Sequence, residues 1–204
     1  MSAKVGRNKL TGEPASTPSG RGEASAFPQP TDGSELPALA RRAVETFVSE
    51  RRIVEPTPIP TPSLLAQRSA CFVSIKTIKR ELRGCIGTIE PEKNMLAEEI
   101  IANAINAAIR DPRFQPVSPD ELPFLRYSVD VLDWPEPTQL EDLDPATFGV
   151  IVMDHFGLRR GLLLPAIEGI KTASQQVHTA ARKAGIAPNE SLKLFRFRAR
   201  RFNE

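Results

Sequence analysis

The chain has 204 residues, of which 40% are hydrophobic and 25% are charged, proportions that are typical of a globular protein with one main domain. Its formal net charge is only +2, so the overall charge does not favour nucleic-acid binding. Two cysteines cannot build the disulfide framework of a small secreted protein. Neither a signal-peptide pattern nor an apolar run of membrane-spanning length is evident. We therefore expect a soluble, reduced, cytoplasmic protein.

Residues 1–34 are rich in Gly, Ser, Pro and Thr, and Phe27 is their only aromatic residue. Such a composition cannot bury enough apolar surface to offset the entropy cost of ordering the chain. We expect a flexible tail over 1–34 and one domain over 35–204.

An amphipathic helix is predicted directly after this tail. Apolar residues recur at helical spacing from Leu36 to Val48, with Ser34 as a candidate cap and Pro37 in the first turn, where proline is tolerated. The alternating prolines of residues 56–62 exclude a helix and favour an extended connector across the domain surface. A ligand for a proline-binding domain is the less favoured interpretation of these prolines.

Two neighbouring strands are predicted next. Residues 70–77 are rich in β-branched and aromatic residues, and a second strand is expected over 81–89. The link over 78–80 lacks the Gly or Asn of a tight hairpin, so we expect a wider turn. Cys71 lies among apolar neighbours and is expected to be a small buried side chain.

The second strand places a thiol, a guanidinium and two glycines within a few residues. In a strand, Arg83 and Cys85 point to the same face, and a guanidinium near a thiol favours the nucleophilic thiolate. Gly84 and Gly87 let a ligand or another backbone approach closely. The pattern is typical of a reactive cysteine or a small anion site. The alternative is that the glycines mark a bulge or a tight crossing and that Cys85 is merely packed.

The clearest helix is predicted over 95–110, from a broad apolar stripe with Asn94 as its cap. Asn103 lies at the edge of that stripe. Asp111 precedes a proline that ends the helix. In the turn that follows, Asp111 can pair with Arg113, and Phe114 can insert into the core, so the turn by itself favours helix termination over a ligand site.

A strand is predicted over 126–132, with Tyr127, Val129 and Val131 on one face and with Ser128 and Asp130 among the residues on the other. An acidic connection is expected to follow over 138–147.

The last third of the chain is expected to contain three strands and a helix. Two strands over 149–153 and 157–164 are joined near Asp154-His155, and a helix over 172–184 begins with a capping box. One final strand is predicted over 192–202. Because strands and helices mix without βαβ alternation, we predict an α+β fold: a largely antiparallel sheet flanked by helices.

No pattern predicts a metal or a bound cofactor, because the two cysteines and two histidines show no zinc spacing and no phosphate-binding glycine loop is evident. A base for Cys85 would have to be His155, beside Asp154, or His178, which is expected to be exposed. Turn composition explains the His155–Asp154 pair equally well. The alternating arginines of the final strand are a weak signal for RNA, and a solvated face is favoured.

Taken together, several motifs resemble the AMMECR domain family, and most closely its bacterial and archaeal branch, AmmeMemoRadiSam system protein A. The resemblance covers residues 36–202. The motifs are Leu82-Arg83-Gly84-Cys85-Ile86-Gly87-Thr88, Asn103-Ala104, Asp111-Pro112-Arg113-Phe114, Ser128-Val129-Asp130-Val131-Leu132, Gly149-Val150-Ile151-Val152, Arg160-Gly161-Leu162-Leu163-Leu164-Pro165 and Lys183-Ala184-Gly185-Ile186.

This resemblance implies an antiparallel sheet flanked by helices, a smaller second lobe, and a cleft between the lobes lined by the arginine-glycine-cysteine motif. It implies an enzyme or a substrate-handling subunit that works with a Memo-type protein and a radical S-adenosylmethionine protein, with no reaction assigned. The alternative is a non-catalytic module that binds an anionic ligand or a protein partner, and RNA is less favoured. The chain departs from the family pattern at Ala166, where members often carry Gln or Asp.

The expected site is therefore Cys85 with Arg83 as catalytic residues. The expected ligand-binding residues are Gly84, Ile86, Gly87, Thr88, Asn103, Asp111, Arg113, Phe114, Asp130, Arg160, Gly161 and Pro165.

Overall fold

The computed structural model describes residues 33–56 and 63–204. The tail predicted over 1–34, except for its last two residues, and positions 57–62 of the proline-rich connector lie outside these described residues. The helices are α1 (Glu35–Glu50), α2 (Leu96–Ile109) and α3 (Ala173–Lys183). The strands are β1 (Cys71–Thr77), β2 (Leu82–Gly87), β3 (Leu125–Leu132), β4 (Glu136–Thr138), β5 (Gly149–Asp154), β6 (Arg160–Leu163), β7 (Leu192–Phe197) and β8 (Ala199–Asn203). Short 3₁₀ helices span Leu64–Ala66, Pro119–Phe124 and Leu140–Asp142.

The strands form two four-stranded antiparallel sheets. The first has the order β2-β1-β3-β8 and the second the order β4-β7-β5-β6. The elements β4 to β7 and α3 follow one another between β3 and β8. The second sheet and its helix therefore form a second lobe, which is inserted into the chain of the first lobe, made of the first sheet with α1 and α2. The predicted α+β fold with antiparallel strands and flanking helices is confirmed. None of the helices in the described ranges is long and apolar enough to cross a membrane.

Helices α1 and α2 cover one face of the first sheet. Their buried apolar stripes, which include Leu36, Val44 and Ile100, pack with Val73 of β1 and Val129 of β3 in one cluster. Because strand side chains alternate between faces, the neighbouring positions of β1 and β3 point to the opposite face. The helices therefore leave one face of this sheet for polar residues.

Glycine permits the closest contact between helix and sheet in each lobe. A Cβ atom added at Gly84 would lie 2.2 Å from the carbonyl oxygen of Ala107 in α2, and one at Gly161 would lie 2.1 Å from that of Ala180 in α3. Neither overlap involves a flexible side chain, so the backbone itself would have to move. Packing thus accounts for both glycines.

A third apolar cluster joins the two lobes. Leu132 at the end of β3 packs with Ile151, Leu162 and Phe197 of the second sheet, and Phe72 of β1 lies against them. The polar face of the first sheet is therefore bounded at one end by the second lobe.

The prediction of one continuous strand over 192–202 is wrong. The chain leaves the second sheet after Phe197, its strand structure is interrupted at Arg198, and it enters the first sheet at Ala199. The expected arginine stripe is divided as a result. Arg196 and Arg198 lie over the ring of Phe148, while Arg200 lies over the ring of Phe202.

Two predicted helix caps are also corrected. Met95, not Asn94, occupies the N-cap position of α2, and neither it nor Ser34 of α1 makes a side-chain capping bond. The capping box of α3, formed by Thr172 and Gln175, is confirmed. Within the predicted acidic connection over 138–147, a 3₁₀ helix forms, and the short strand β4 precedes it.

Candidate functional site

A row of polar side chains crosses the uncovered face of the first sheet. Cys85 of β2 pairs with Ser74 of β1, Ser74 pairs with Ser128 of β3, and Ser128 pairs with Asn203 of β8. Directly paired residues of antiparallel strands share a face, so thiol, hydroxyl and amide groups form one line, which we call the hydroxyl row. The next row toward the second lobe contains Gly87, Phe72, Asp130 and Arg201.

Cys85 is held through both its side chain and its backbone. The hydroxyl of Ser74 donates to the thiol at 3.2 Å, and the thiol is half-buried. The backbone N–H of Cys85 donates to Oδ2 of Asp111 at 2.8 Å, and its carbonyl accepts from Nη2 of Arg113 at 3.4 Å. Asp111 and Arg113 therefore bond the outer edge of β2 as a further strand would. This edge clamp explains why the turn after α2 needs both side chains.

Two arginine–aspartate pairs lie near the thiol. Arg113 donates to Asp111 at 2.9 and 2.6 Å, and Arg201 donates to Asp130 at 2.7 and 3.1 Å. In each pair the carboxylate is buried, with 2% and 3% of its side chain exposed, whereas the guanidinium is 53% and 48% exposed. The surface that an approaching ligand meets is therefore cationic at both positions.

The pKa values of this cluster follow from the same contacts. Hydrogen bonding to its aspartate raises the pKa of each guanidinium, and the nearby Cys85 raises it further. The Arg113 hydrogen bonds, with the backbone N–H groups of Cys85 and Arg113, hold the pKa of Asp111 well below its usual range, although burial opposes them. The Asp111–Arg113 pair is thus charged across the neutral pH range.

Arg83 was predicted to lie beside the thiol, and it forms an ion pair with Glu121. A bulge occurs at this point, since Ile75 pairs with Gly84 but Lys76 pairs with Leu82. The Arg83 guanidinium donates to both carboxylate oxygens of Glu121 at 2.6 and 3.0 Å. Cys85 contributes to the raised pKa values of Arg113 and Arg201.

Phe114 lies between two of these arginines. The guanidinium carbons of Arg83 and Arg113 are 5.8 and 5.5 Å from the centre of its ring. The structure thus brings together Cys85, Asp111, Arg113, Phe114 and Arg83, with Asp130 joining through Arg201.

The remaining predicted residues of the first lobe lie apart from this cluster and support β2. Asn103 is buried and donates to the carbonyl of Cys71 at 3.1 Å. The hydroxyl of Thr88 donates to Glu99, a buried carboxylate that also accepts the backbone N–H groups of residues 92 and 93. Ile86 packs against the helix-covered core. Cys71 is fully buried, as predicted, and this burial raises the pKa of its thiol to about 12.

In the second lobe, Arg160 forms an ion pair with Glu90 of the first lobe at 2.6 Å, and Gly161 contacts α3. Pro165 is half-buried after the end of β6. Ala166 adopts a left-handed backbone conformation with φ of +54°, which Asn or Asp tolerates better than Ala.

The suggested His155–Asp154 pair does not form. Asp154 instead accepts from Nε of Arg159 at 3.0 Å and from the backbone N–H of Leu158, while His155 is exposed. Over residues 33–56 and 63–204, no histidine makes a hydrogen bond to Cys85. The same residues contain no group of three His, Cys, Asp or Glu side chains that could hold a metal ion.

Four residues near the thiol or its arginines were not predicted. They are Ser74, Ser128, Glu121 and Arg201. Alternation along β1, where Phe72, Ser74 and Lys76 interleave with apolar residues, could have identified Ser74. Nothing in the sequence pairs Arg201 with Asp130, because that contact depends on the change of sheet that places β8 beside β3.

Comparison with known proteins gives a consistent family. A family model described as AMMECR1 matches residues 37–202. A protein of Thermotoga maritima is 44% identical over 165 residues, covering 80% of this chain and 94% of the relative. Protein CA_C1420 of Clostridium acetobutylicum is 42% identical over 81% of this chain, which corresponds to 35% of its own length. The crystal structure of the uncharacterized protein PH0010 from Pyrococcus horikoshii matches with a TM-score of 0.76 and 32% identity, over 85% of this chain and 91% of that one.

Proposed function

The chain belongs to the AMMECR1 family, and from the geometry of its cleft we propose that it binds an anionic substrate beside a reactive Cys85 thiol. One observation carries this proposal. Asp111 and Asp130 are buried, while the guanidinium groups of Arg113 and Arg201 that they hold remain half exposed. An arginine fixed in this way presents oriented N–H donors to a carboxylate or phosphate without losing side-chain entropy on binding.

The same two guanidinium groups support thiol chemistry at Cys85. A positive charge favours the thiolate, which is the nucleophilic form of cysteine. The Ser74 hydroxyl, 3.2 Å from the sulfur, can stabilise that negative charge as a hydrogen-bond donor. We assign Cys85 the role of the reacting group and Arg113 and Arg201 the role of orienting the substrate.

The second candidate is a module that binds an anionic ligand without reacting with it. It is favoured by the absence, over the described part of the chain, of a histidine bonded to the thiol. Both candidates use the same two arginines, so a test must measure anion binding and thiol reactivity separately.

Alkylation by two similar reagents separates these properties. Iodoacetate is anionic and iodoacetamide is neutral. The ratio of the iodoacetate rate to the iodoacetamide rate therefore reports the electrostatic potential at the sulfur. We expect this ratio to exceed that of glutathione, on the order of tenfold, in a Cys71→Ala background. It should fall in a Cys71→Ala/Asp130→Asn/Arg201→Gln variant, which keeps a polar pair but removes the exposed charge.

The iodoacetamide rate at pH 7 then decides between the two candidates. We expect Cys85 to react on the order of tenfold faster than glutathione if guanidinium groups favour its thiolate. An iodoacetamide rate equal to that of glutathione, combined with a raised ratio of the iodoacetate rate to the iodoacetamide rate, would support anion binding without thiol chemistry. A ratio equal to that of glutathione would overturn the anion site.

We also propose, from the motif resemblance, that the protein functions with a Memo-type protein and a radical S-adenosylmethionine protein of the AmmeMemoRadiSam system. The support is the agreement of the residues from Leu82 to Thr88 with that branch of the family. The genome that encodes this chain should contain both partner genes. A genome that lacks them would contradict this part of the proposal.

A further inference from the structure

A cavity lies on the same uncovered sheet face, at the end away from the second lobe. It has a volume of about 550 Å³, within the range of small-molecule sites. Its lining includes three basic side chains from three different segments, Lys76 of β1, Arg80 of the β1–β2 turn and Arg126 of β3. We call this cavity the basic groove.

The positive charge of the basic groove is not balanced locally. In residues 33–56 and 63–204, none of its three basic side chains forms an ion pair with a carboxylate. Glu204 also lines the groove, but its carboxylate accepts two hydrogen bonds from Arg41 and one from the backbone of Tyr127. The side chains of the groove therefore leave an excess of positive charge facing the cavity.

The floor of the groove can donate hydrogen bonds. Ser128 and Asn203 line the cavity and are also members of the hydroxyl row that ends at Cys85. Lys76 and Arg126 are paired directly across β1 and β3, two positions from Ser74 and Ser128. Two positions along a strand span about 7 Å, so Lys76 and Arg126 lie one row away from the row that contains the thiol.

We propose that the basic groove binds the phosphoryl group of a small phosphorylated ligand. A phosphate carries close to two negative charges and several acceptor oxygens, which suits cations that converge from three segments together with hydroxyl and amide donors. A single carboxylate would leave most of this charge unmatched. On the proposed function, the same ligand extends along the hydroxyl row and places its reacting end at Cys85.

Pyrophosphate is a suitable probe because it tests the groove without requiring the true ligand. Titration calorimetry of the full chain at low ionic strength should detect binding that weakens as salt is added. In Lys76→Ala/Arg126→Ala we expect the dissociation constant to rise at least about tenfold, since two charges near a dianion are lost. Lys79→Ala, which changes an exposed lysine of the same turn outside the groove, should differ from the parent by less than about twofold.

Two further variants show where pyrophosphate binds and control for misfolding. Arg126→Gln alone changes an exposed side chain and should reproduce part of the loss. Asp130→Asn/Arg201→Gln removes charge from the thiol cleft but not from the groove, so it should leave pyrophosphate binding within about twofold.

The outcomes separate this inference from the proposed function. No binding by the parent protein up to about 10 mM pyrophosphate, or equal losses in Lys79→Ala and Lys76→Ala/Arg126→Ala, would overturn the groove. Loss only in Asp130→Asn/Arg201→Gln would overturn the groove and leave the anion site at Cys85 supported. Comparison of pyrophosphate with orthophosphate then shows whether one or two phosphoryl groups are accommodated.

Discussion

At the scale of single residues, the glycines of the motif over 82–88 are needed for packing, while its cysteine is the group available for chemistry. Gly84 faces α2 and Gly87 faces the ring of Phe72, so both glycines are required by close contacts within the fold. Cys85 stands between them, half-buried and accepting a hydrogen bond from Ser74. The close contacts of the two glycines thus help to set the position of the thiol.

We predict that Gly84→Ala destabilises the protein by about 3 kcal/mol, because the added Cβ would overlap the Ala107 carbonyl. Urea unfolding measures the change. Gly185→Ala is a matched control, since Gly185 has a φ of +66° but nothing within 4 Å of an added Cβ. Backbone strain alone should cost about 1 kcal/mol there. Equal costs at the two sites would show that the contact with α2 is not tight.

At the scale of elements, the edge clamp fixes the outer side of β2. Asp111 and Arg113 bond the N–H and the carbonyl of Cys85, groups that a free sheet edge would present to other chains. The clamp comes from the turn after α2, so the helix, its proline-based termination and the strand form one unit. The position of the thiol therefore depends on where α2 ends.

Loss of the Asp111 charge should weaken this unit in a pH-dependent way. We predict that Asp111→Asn lowers the free energy of unfolding by about 2 kcal/mol at pH 7. Because folding lowers the pKa of Asp111, its stabilising effect is complete above the unfolded value of about 3.9 and disappears as the pH falls below it. The deficit of the variant should therefore shrink below about pH 4.

The control for this experiment is Asp120→Asn, which changes an exposed carboxylate of the following 3₁₀ helix. It should alter stability by less than about 0.5 kcal/mol. Hydrogen exchange at the Cys85 amide adds a local readout and should accelerate in Asp111→Asn only. A deficit that stays constant down to pH 2 would show that the charge of Asp111 is not the cause.

A capping box indicated α3, and periodicity in the sequence predicted α1 and α2, because each of them buries an apolar stripe. It also predicted the main strands and the pairing of Asp111 with Arg113, which are two residues apart. It failed at Arg198, since Phe195 to Arg200 alternates strictly across the point where the chain passes from the second sheet to the first. The Arg83–Glu121 and Arg201–Asp130 pairs were missed because residues 38 and 71 positions apart meet only through the fold.

At the scale of the whole molecule, two kinds of contact join the lobes. The joining cluster of Leu132, Ile151, Leu162 and Phe197 is apolar and buried, whereas the Arg160–Glu90 ion pair between the lobes is largely exposed. Exposed ion pairs contribute little to stability. We infer that apolar packing, not this ion pair, holds the lobes together.

We predict that Phe197→Ala lowers the unfolding free energy by about 4 kcal/mol, because it removes a buried ring that packs over Gly149 and against the first lobe. Glu90→Gln should change it by less than about 0.5 kcal/mol. Denaturant unfolding followed by circular dichroism compares the two variants. A larger effect from Glu90→Gln than from Phe197→Ala would reverse the assignment.

The insertion of the second lobe between β3 and β8 has a consequence for synthesis of the chain. Strand β1 has already been made when β3 is synthesised, so these two strands can pair at once. The other edge of β3 has no partner until β8 is made, roughly 70 residues later. At about 5 to 20 residues per second, that edge stays unpaired for several seconds on the ribosome. Unpaired edges favour aggregation, so we expect a chain that stops at residue 197 to sediment as aggregate while the full chain remains in solution.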